Sequence, residues 1–317
     1  MVQTVKDDVL RNAAVLLFDR KHHVRRQARS MLNAQQIWTV TELYEPYHLP
    51  EALKTSQVHL LIAAIEEPAD EVLEMVTRLR RMEYGGDPFI PVILTSWNSS
   101  RDLVGAALNS GADDLLIWPF SIKQLGDRIW GLIRNRKRYV LTDTYLGPDR
   151  RMGQNRGTPF KTVDVPNTLR AVIEDELEFE STEETVANAM MALRSEKIRC
   201  EARRIHALTS SVMESYHGER ADDIDSYLNT VHAVAGQFQR SIVGSSFEHL
   251  SRLAVSISMI VQDMLANWGE VAERDMALLE KTARALYIAA ETDNTVAAAA
   301  LDISEEIRRL DGSGAGD

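Results

Sequence analysis

Gly111-Ala112-Asp113-Asp114-Leu115-Leu116-Ile117-Trp118-Pro119-Phe120 is the stretch on which the fold turns. Leu115-Leu116-Ile117 is a short apolar run, set between a Gly-Ala-Asp lead and a Pro-Phe exit. Four runs of the same kind precede it. Ala13–Phe18 is continuous and apolar, Ile37-Trp38-Thr39-Val40 is weaker, and Val58–Ala63 and Pro91–Thr95 follow. Between them lie helical patterns: a basic one from His22 to Asn33, and another in which Val72, Leu73, Val76 and Leu79 recur at helical spacing. Strands apolar on both faces and separated by helices imply a parallel sheet covered on both sides. Five such units in roughly 120 residues predict a flavodoxin-like, doubly wound five-stranded parallel sheet, with its sites at the carboxyl ends of the strands.

Downstream the pattern changes twice. Residues 135–167 contain Gly147-Pro148, Gly153, Gly157, Pro159 and Pro166 and read as a linker. From Asn167 the chain is helical. Apolar stripes run from Ile198 to Tyr216, Ile224 to Ile242, Leu250 to Trp268 and Met276 to Tyr287. Each stripe hides one face of its helix, which is the pattern of a bundle. The expected organisation is α/β then all-α: an α/β domain over 1–134, a basic linker over 135–167, a helical bundle over 168–310 and a disordered tail over 311–317.

Charge is distributed unevenly along the 317 residues, whose net charge is −11. Residues 1–133 carry 14 basic and 17 acidic side chains, residues 134–164 carry 8 and 3, and the remainder 14 and 27. So acidic a helical half repels phosphates and makes nucleic acid an unlikely partner. The basic linker, with Arg134, Arg136, Lys137, Arg138, Arg150 and Arg151, reads first as a solvated connector that pairs with the acidic bundle. Contact with an anionic membrane is the alternative, weakened by screening at physiological salt. Cys200 is the only cysteine, which excludes an intrachain disulfide and a Cys-rich zinc site. No secretory apolar run and no stretch near the ~20 apolar residues of a membrane helix is present, so a cytoplasmic protein is expected.

The first 134 residues resemble the receiver domains of two-component response regulators. The resemblance rests on Thr95-Ser96, Gly111-Ala112-Asp113 and Pro119-Phe120. It implies aspartyl phosphorylation assisted by Mg²⁺, in which carboxylates hold the metal and a lysine and a hydroxyl read the phosphorylated state. Several positions depart from that pattern. The acidic pair ending the first strand is Asp19-Arg20, the phosphoacceptor position is Ala64, and Trp118 replaces the lysine before Pro119. Thr95 keeps the switch hydroxyl, and Leu115 takes the switch-aromatic position. A register shifted by two residues would bring in Glu66 or Glu67 instead, but Arg20 would still oppose the metal. The pattern points to a degenerate, non-catalytic receiver with no cofactor or metal. Such a domain acts by contact with a histidine kinase, another receiver or a downstream output protein, or by forming a homodimer. Trp118, Phe120 and Trp130 either fill core and the emptied pocket or form part of such a contact.

In the helical half no P-loop, dinucleotide turn, zincin motif, cyclic-dinucleotide enzyme signature or DNA-recognition helix is present. His232-Ala233-Val234-Ala235-Gly236 is similar to the acceptor motif of histidine phosphotransfer domains, and His232 falls at the edge of its apolar stripe. The lysine which that resemblance implies three residues later is Ala235. Phosphotransfer through His232 is therefore the alternative function. His206 and His249 lack the glycine. Asp222, Asp223 and Asp225 suit the positive start of a helix better than a metal site.

Overall fold

The computed structural model describes residues 9–55, 57–150, 161–217, 221–267 and 273–292. The described residues form two compact units, one reaching to residue 150 and resuming over 161–193, the other from 194 onward.

The first unit is built on five parallel strands in the order β2-β1-β3-β4-β5: β1 Ala14–Phe18, β2 Thr39–Leu43, β3 Leu60–Ala64, β4 Val92–Ser96 and β5 Asp114–Ile117. Helices α1 His22–Ala34, α2 Leu49–Thr55, α3 Glu71–Arg80, α4 Arg101–Asn109 and α5 Ile122–Arg134 connect and follow them. Alternation along the strands sorts the apolar side chains onto two faces. Val15, Leu17, Leu60, Ile62 and Ile93 pack with Val24, Leu32, Leu125 and Ile129 of α1 and α5. Leu16, Phe18, Leu61, Ala63, Val92 and Leu94 pack with Leu49, Val72, Val76 and Leu103 of α2, α3 and α4. A continuous apolar run is thus what a two-sided sheet needs. The caps are local: Asp70 accepts from the Val72 amide, and Ser121 with Gln124 forms a reciprocal capping box on α5.

One strand differs from its expected position. β2 begins at Thr39; Ile37 is buried ahead of it, and Trp38 is 53% exposed. The apolar pair there serves the entry to the strand, while the strand itself is an edge, half-exposed and polar.

The stretch read as a linker is built into the first unit. β6 Tyr139–Leu141 and β7 Leu146–Pro148 form an antiparallel hairpin, and Tyr139 also bridges to Val163. Gly111 explains how the hairpin comes so close: it adopts φ +91°, and a Cβ there would lie 2.5 Å from the Leu146 carbonyl oxygen. Helix α6, Thr168–Glu174, then lays Leu169 and Ile173 into the core shared with α5. Helix α7, Glu183–His217, contributes Val186, Ala189, Met190 and Leu193 to a cluster with Phe89, Tyr139 and Leu146. The compact unit therefore extends past both 134 and 168. Gly153, Gly157, Pro159 and Arg151 lie outside the described residues.

Among the described residues the second unit is all helical. The remainder of α7 joins α8 Ala221–Ile242, α9 Ser251–Ala266 and α10 Glu273–Glu291 around a core of Ile198, Val212, Leu228, Phe238, Ile257, Val261, Leu279 and Leu286. The four stripes read from the sequence are these buried faces, except that Trp268 lies outside the described residues. Arg203 pairs with Glu291 at 2.6 Å and also with Glu196. Cys200 is buried, and the lack of solvent pushes its thiol up to about 12. Among the described residues no helix is long and apolar enough to cross a membrane. The segment 311–317 lies outside them.

Candidate functional site

The carboxyl ends of β1, β3, β4 and β5 bring Asp19, Arg20, Ala64, Thr95 and Trp118 to one rim of the sheet. Parallel pairing sets Ala64 opposite Thr95 and Ser96 opposite Ile117. Glu66 lies two residues beyond the end of β3, so the register puts the alanine methyl at the strand end.

Asp19 is buried directly after β1. Its Oδ1 accepts the Lys21 amide at 2.7 Å, and its backbone oxygen accepts Arg25 Nη1 at 2.7 Å. Burial raises the Asp19 carboxyl above the usual carboxylate range; the Lys21 amide and charge offset this only in part. Arg20 turns toward the start of α3. It donates Nη1 to Asp70 Oδ2 at 3.2 Å, and Nη2 to Asp70 Oδ1 at 3.3 Å and Glu71 Oε1 at 3.0 Å. Asp70 also accepts the Glu66 and Val72 amides. Lys21 Nζ meets Glu66 Oε1 at 2.8 Å. Asp70, Glu71 and Glu66 are thus engaged by the chain's own cations, while the Asp19 carboxylate accepts a backbone amide.

On the β5 side Trp118 is 5% exposed. Its ring stacks on Phe120 at 3.9 Å and on Trp97 at 5.4 Å, with interplanar angles of 29° and 13°. Its amide donates to the Ser96 carbonyl at 2.8 Å, and the Trp118–Pro119 peptide is cis. Trp118 and Phe120 therefore fill the interior. Trp97, 55% exposed, caps the stack from outside. Trp118 Nε1 is buried without a hydrogen-bond partner among the described residues.

A second polar constellation escaped the sequence reading. At the amino ends of β4 and β5, Asp113 is buried and receives two arginines and a tyrosine. Arg80 Nη2 donates to Oδ2 at 3.0 Å; Arg136 donates Nε to Oδ1 at 2.8 Å and Nη2 to Oδ2 at 3.1 Å. Tyr139 Oη donates to Oδ1 at 3.1 Å and accepts from Arg136 Nη2 at 2.5 Å, and the Val92 amide completes the shell. Arg80 spends its other donors on the carbonyls of Gly111, Pro88 and Ile90. Burial alone would raise the Asp113 carboxyl; Arg136, then Arg80, outweigh it and hold it below the usual range. Burial pushes the Tyr139 hydroxyl well above its ordinary value, so it stays protonated.

This network corrects the reading of the basic linker. Arg136 is no solvated cation: it is buried against Asp113 and donates to the Pro166 carbonyl at 2.9 Å. Arg150 donates to the Ala112 carbonyl, Arg138 pairs with Asp164 at 2.9 Å, and Arg134 lies over the Trp130 ring. The one legible signal was the aspartate in Gly111-Ala112-Asp113, read only as a structural marker.

In the second unit His232 sits on α8 between the buried Val231 and Val234, half-buried itself, with Nδ1 enclosed and unpartnered among the described residues. Ala235 is buried. His206 packs its ring on Tyr287 at 5.1 Å, and His249 is exposed. Asp225 is exposed inside α8, which begins at Ala221. No group of three or more candidate metal ligands occurs among the described residues.

The strand order and the two-faced core agree with a comparison against known families. Residues 15–130 match the response regulator receiver domain. This segment is a receiver domain. Solved structures similar to it include the chemotaxis protein CheY4 of Vibrio cholerae, at 18% identity over 37% of this chain and 96% of that one, TM-score 0.33. A signal receiver domain of a two-component histidine kinase from Clostridium thermocellum is 19% identical over 38% of this chain and 98% of that one, TM-score 0.35. A CheY-like receiver domain from Methanospirillum hungatei is 17% identical over 37% and 90%, TM-score 0.32. Comparison with curated proteins finds no match. A receiver domain implies two-component signalling, and receiver domains are in general signalling modules without catalytic activity of their own. The family match ends at residue 130, ahead of the helical half.

Proposed function

We propose that this protein is a signalling adaptor whose receiver segment takes no phosphoryl group and acts by contact with other signalling proteins. The observation that carries the reading is Ala64, a methyl group at the end of β3, opposite Thr95. A methyl offers no oxygen to phosphorus. The Mg²⁺ used by this fold is not served either. Of the residues at the carboxylate positions only Asp19 is acidic, burial disfavours its charge, and Arg20 stands beside it. A hard cation that demands several oxygen ligands gains little from one such group. Trp118 supplies a stacked ring where a lysine would meet the phosphate, and it has no charge to read one. With phosphate excluded, partners of the kinase, receiver or output class are engaged by surface recognition, with the helical unit presenting the output.

The test is phosphoryl incorporation into the full chain from labelled acetyl phosphate with Mg²⁺, and from labelled phospho-receivers. Wild type is expected to remain unlabelled from every donor. Ala64→Asp alone is also expected to remain unlabelled, since Arg20 and Trp118 persist; label on that variant sinks the reading. Acid-labile label on wild type that disappears in His232→Ala would replace it with phosphotransfer through the helical unit.

A further inference from the structure

Helix α10 hides one face in the second unit, through Met276, Leu279, Ala283, Leu286 and Ala290. Its other side is not the charged face that a surface helix normally turns to water. Leu278 and Ile288 are each 52% exposed, Ala285 is exposed between them, and Thr282 and Ala289 are half-buried on the same side. At about 100° per residue, Leu278, Thr282, Ala285 and Ala289 fall within about 60° of one another, with Ile288 beside them. Single exposed apolar residues need no explanation, but a stripe of them does. Lys281 and Arg284 are exposed along one border of this stripe, and neither has an ion-pair partner among the described residues.

The chain beyond α10 carries the complement. Residues 293–310 lie outside the described residues, and their sequence continues directly from Thr292. Val296, Ala300, Ile303, Ile307 and Leu310 recur at alternating spacings of four and three, an apolar stripe at helical period. Asp302 and Glu306 fall along one border of it. Asp293-Asn294-Thr295, residue types of turns and helix starts, precedes the stripe. A connection of that length is enough to join antiparallel helices. From Val296 to Leu310 a helix spans about 21 Å, which equals the span from Thr292 back to Leu278.

We propose that residues 296–310 of the same chain lie antiparallel on this face of α10, as a further helix of the second unit. The short connection sets Val296 level with Thr292. Ile303 then comes level with Ala285 and Ala300 with Ile288, so that large meets small, and Leu310 meets Leu278. The charges select the direction. In antiparallel packing the Asp302–Glu306 border and the Lys281–Arg284 border fall on the same side, whereas parallel packing sets them on opposite sides. A second copy of the chain offers the same helix, but the short connection gives the chain's own segment the higher effective concentration. The covering goes beyond the signalling reading and does not depend on whether the receiver segment takes phosphate. A partner helix seeking this face of α10 must displace 296–310.

The experiment is hydrogen exchange of the full chain, resolved over 293–310, with paired cysteines as a second readout. In wild type the amides of 300–310 are expected to exchange about tenfold or more slowly than an unstructured chain. Leu278→Asp/Ile288→Asp, changed only at exposed positions, should return them to within about twofold of the unstructured rate. Exchange in α8 and α9 reports whether that variant is folded. A short bismaleimide should join Leu278→Cys/Leu310→Cys within one chain and leave Leu278→Cys/Val296→Cys, about 20 Å apart in this register, unjoined; buried Cys200 stays unreactive. Unslowed exchange over 300–310 in wild type overturns the proposal and needs no variant to fold. Unchanged exchange in the folded double variant, or a Leu278→Cys/Leu310→Cys link found only between chains, overturns it as well.

Discussion

At the carboxyl end of the receiver sheet, Arg20 is 32% exposed and faces Asp70 at 3.2 Å and Glu71 at 3.0 Å. At the amino end, Arg136 and Arg80 are 6% and 1% exposed and face Asp113 at 2.8 and 3.0 Å. Both regions set guanidinium against carboxylate with good geometry, yet their energetics differ. The rim pairs are only partly buried, with Arg20 32% and Asp70 3% exposed, and Asp70 keeps the Glu66 and Val72 amides without Arg20, so they contribute less than a fully buried pair. Buried pairs lose hydration on both sides and stand only if every donor and acceptor is matched. Asp113 achieves that match with two arginines, a phenol and the Val92 amide, and thereby ties residues 136–139 to the loop that enters β5. The same residue types make a disposable contact in one place and an indispensable one in the other.

The contrast can be broken most directly at Asp113. Asp113→Ala leaves Arg80 and Arg136 buried without a counter-charge and should cost about 3–5 kcal/mol in urea unfolding; a loss below about 1 kcal/mol would make the two ends equivalent. Acid probes the same network. Because the folded pKa of Asp113 is depressed, its contribution is complete above the ordinary carboxylate value near pH 4 and is lost as pH falls through that value toward the lowered one. Asp19, whose pKa is raised, acts with the opposite sign. Wild type should therefore lose stability more steeply than Asp113→Asn as pH drops below about 4, and parallel profiles would contradict the assignment.

Tyr139→Phe sharpens the comparison, since it removes one donor and one acceptor but leaves both arginines on Asp113. A loss of about 1–2 kcal/mol is expected, between the charge deletion and the rim. The smallest effect belongs to Arg20→Ala, at about 0–1 kcal/mol and shrinking with added salt. A larger, salt-insensitive loss would show that the rim is structural rather than chemical.

The sheet was legible because its determinants are local. Each strand is a continuous apolar run and each connecting helix a periodic one, as in Val72, Leu73, Val76 and Leu79 of α3. Only the half-exposed edge strand β2 misled, because its apolar residues Ile37 and Trp38 lie just outside it. The rim residues were legible too: position in a strand end is fixed by the run that precedes it, so Ala64, Arg20 and Trp118 could be placed without coordinates. The Asp113 network could not. Arg136 and Tyr139 follow it by 23 and 26 residues, in a stretch whose glycines, prolines and cations read as solvated connector.

Sequence alone therefore determined the parallel sheet, the amphipathic helices after it and the chemical identity of the rim, since hydrophobic periodicity and strand-end position act over a few residues. Only the tertiary structure decided where the receiver unit stops and which charges are buried. Those properties depend on which distant segments exclude water from one another, and no local pattern of residue types encodes that exclusion.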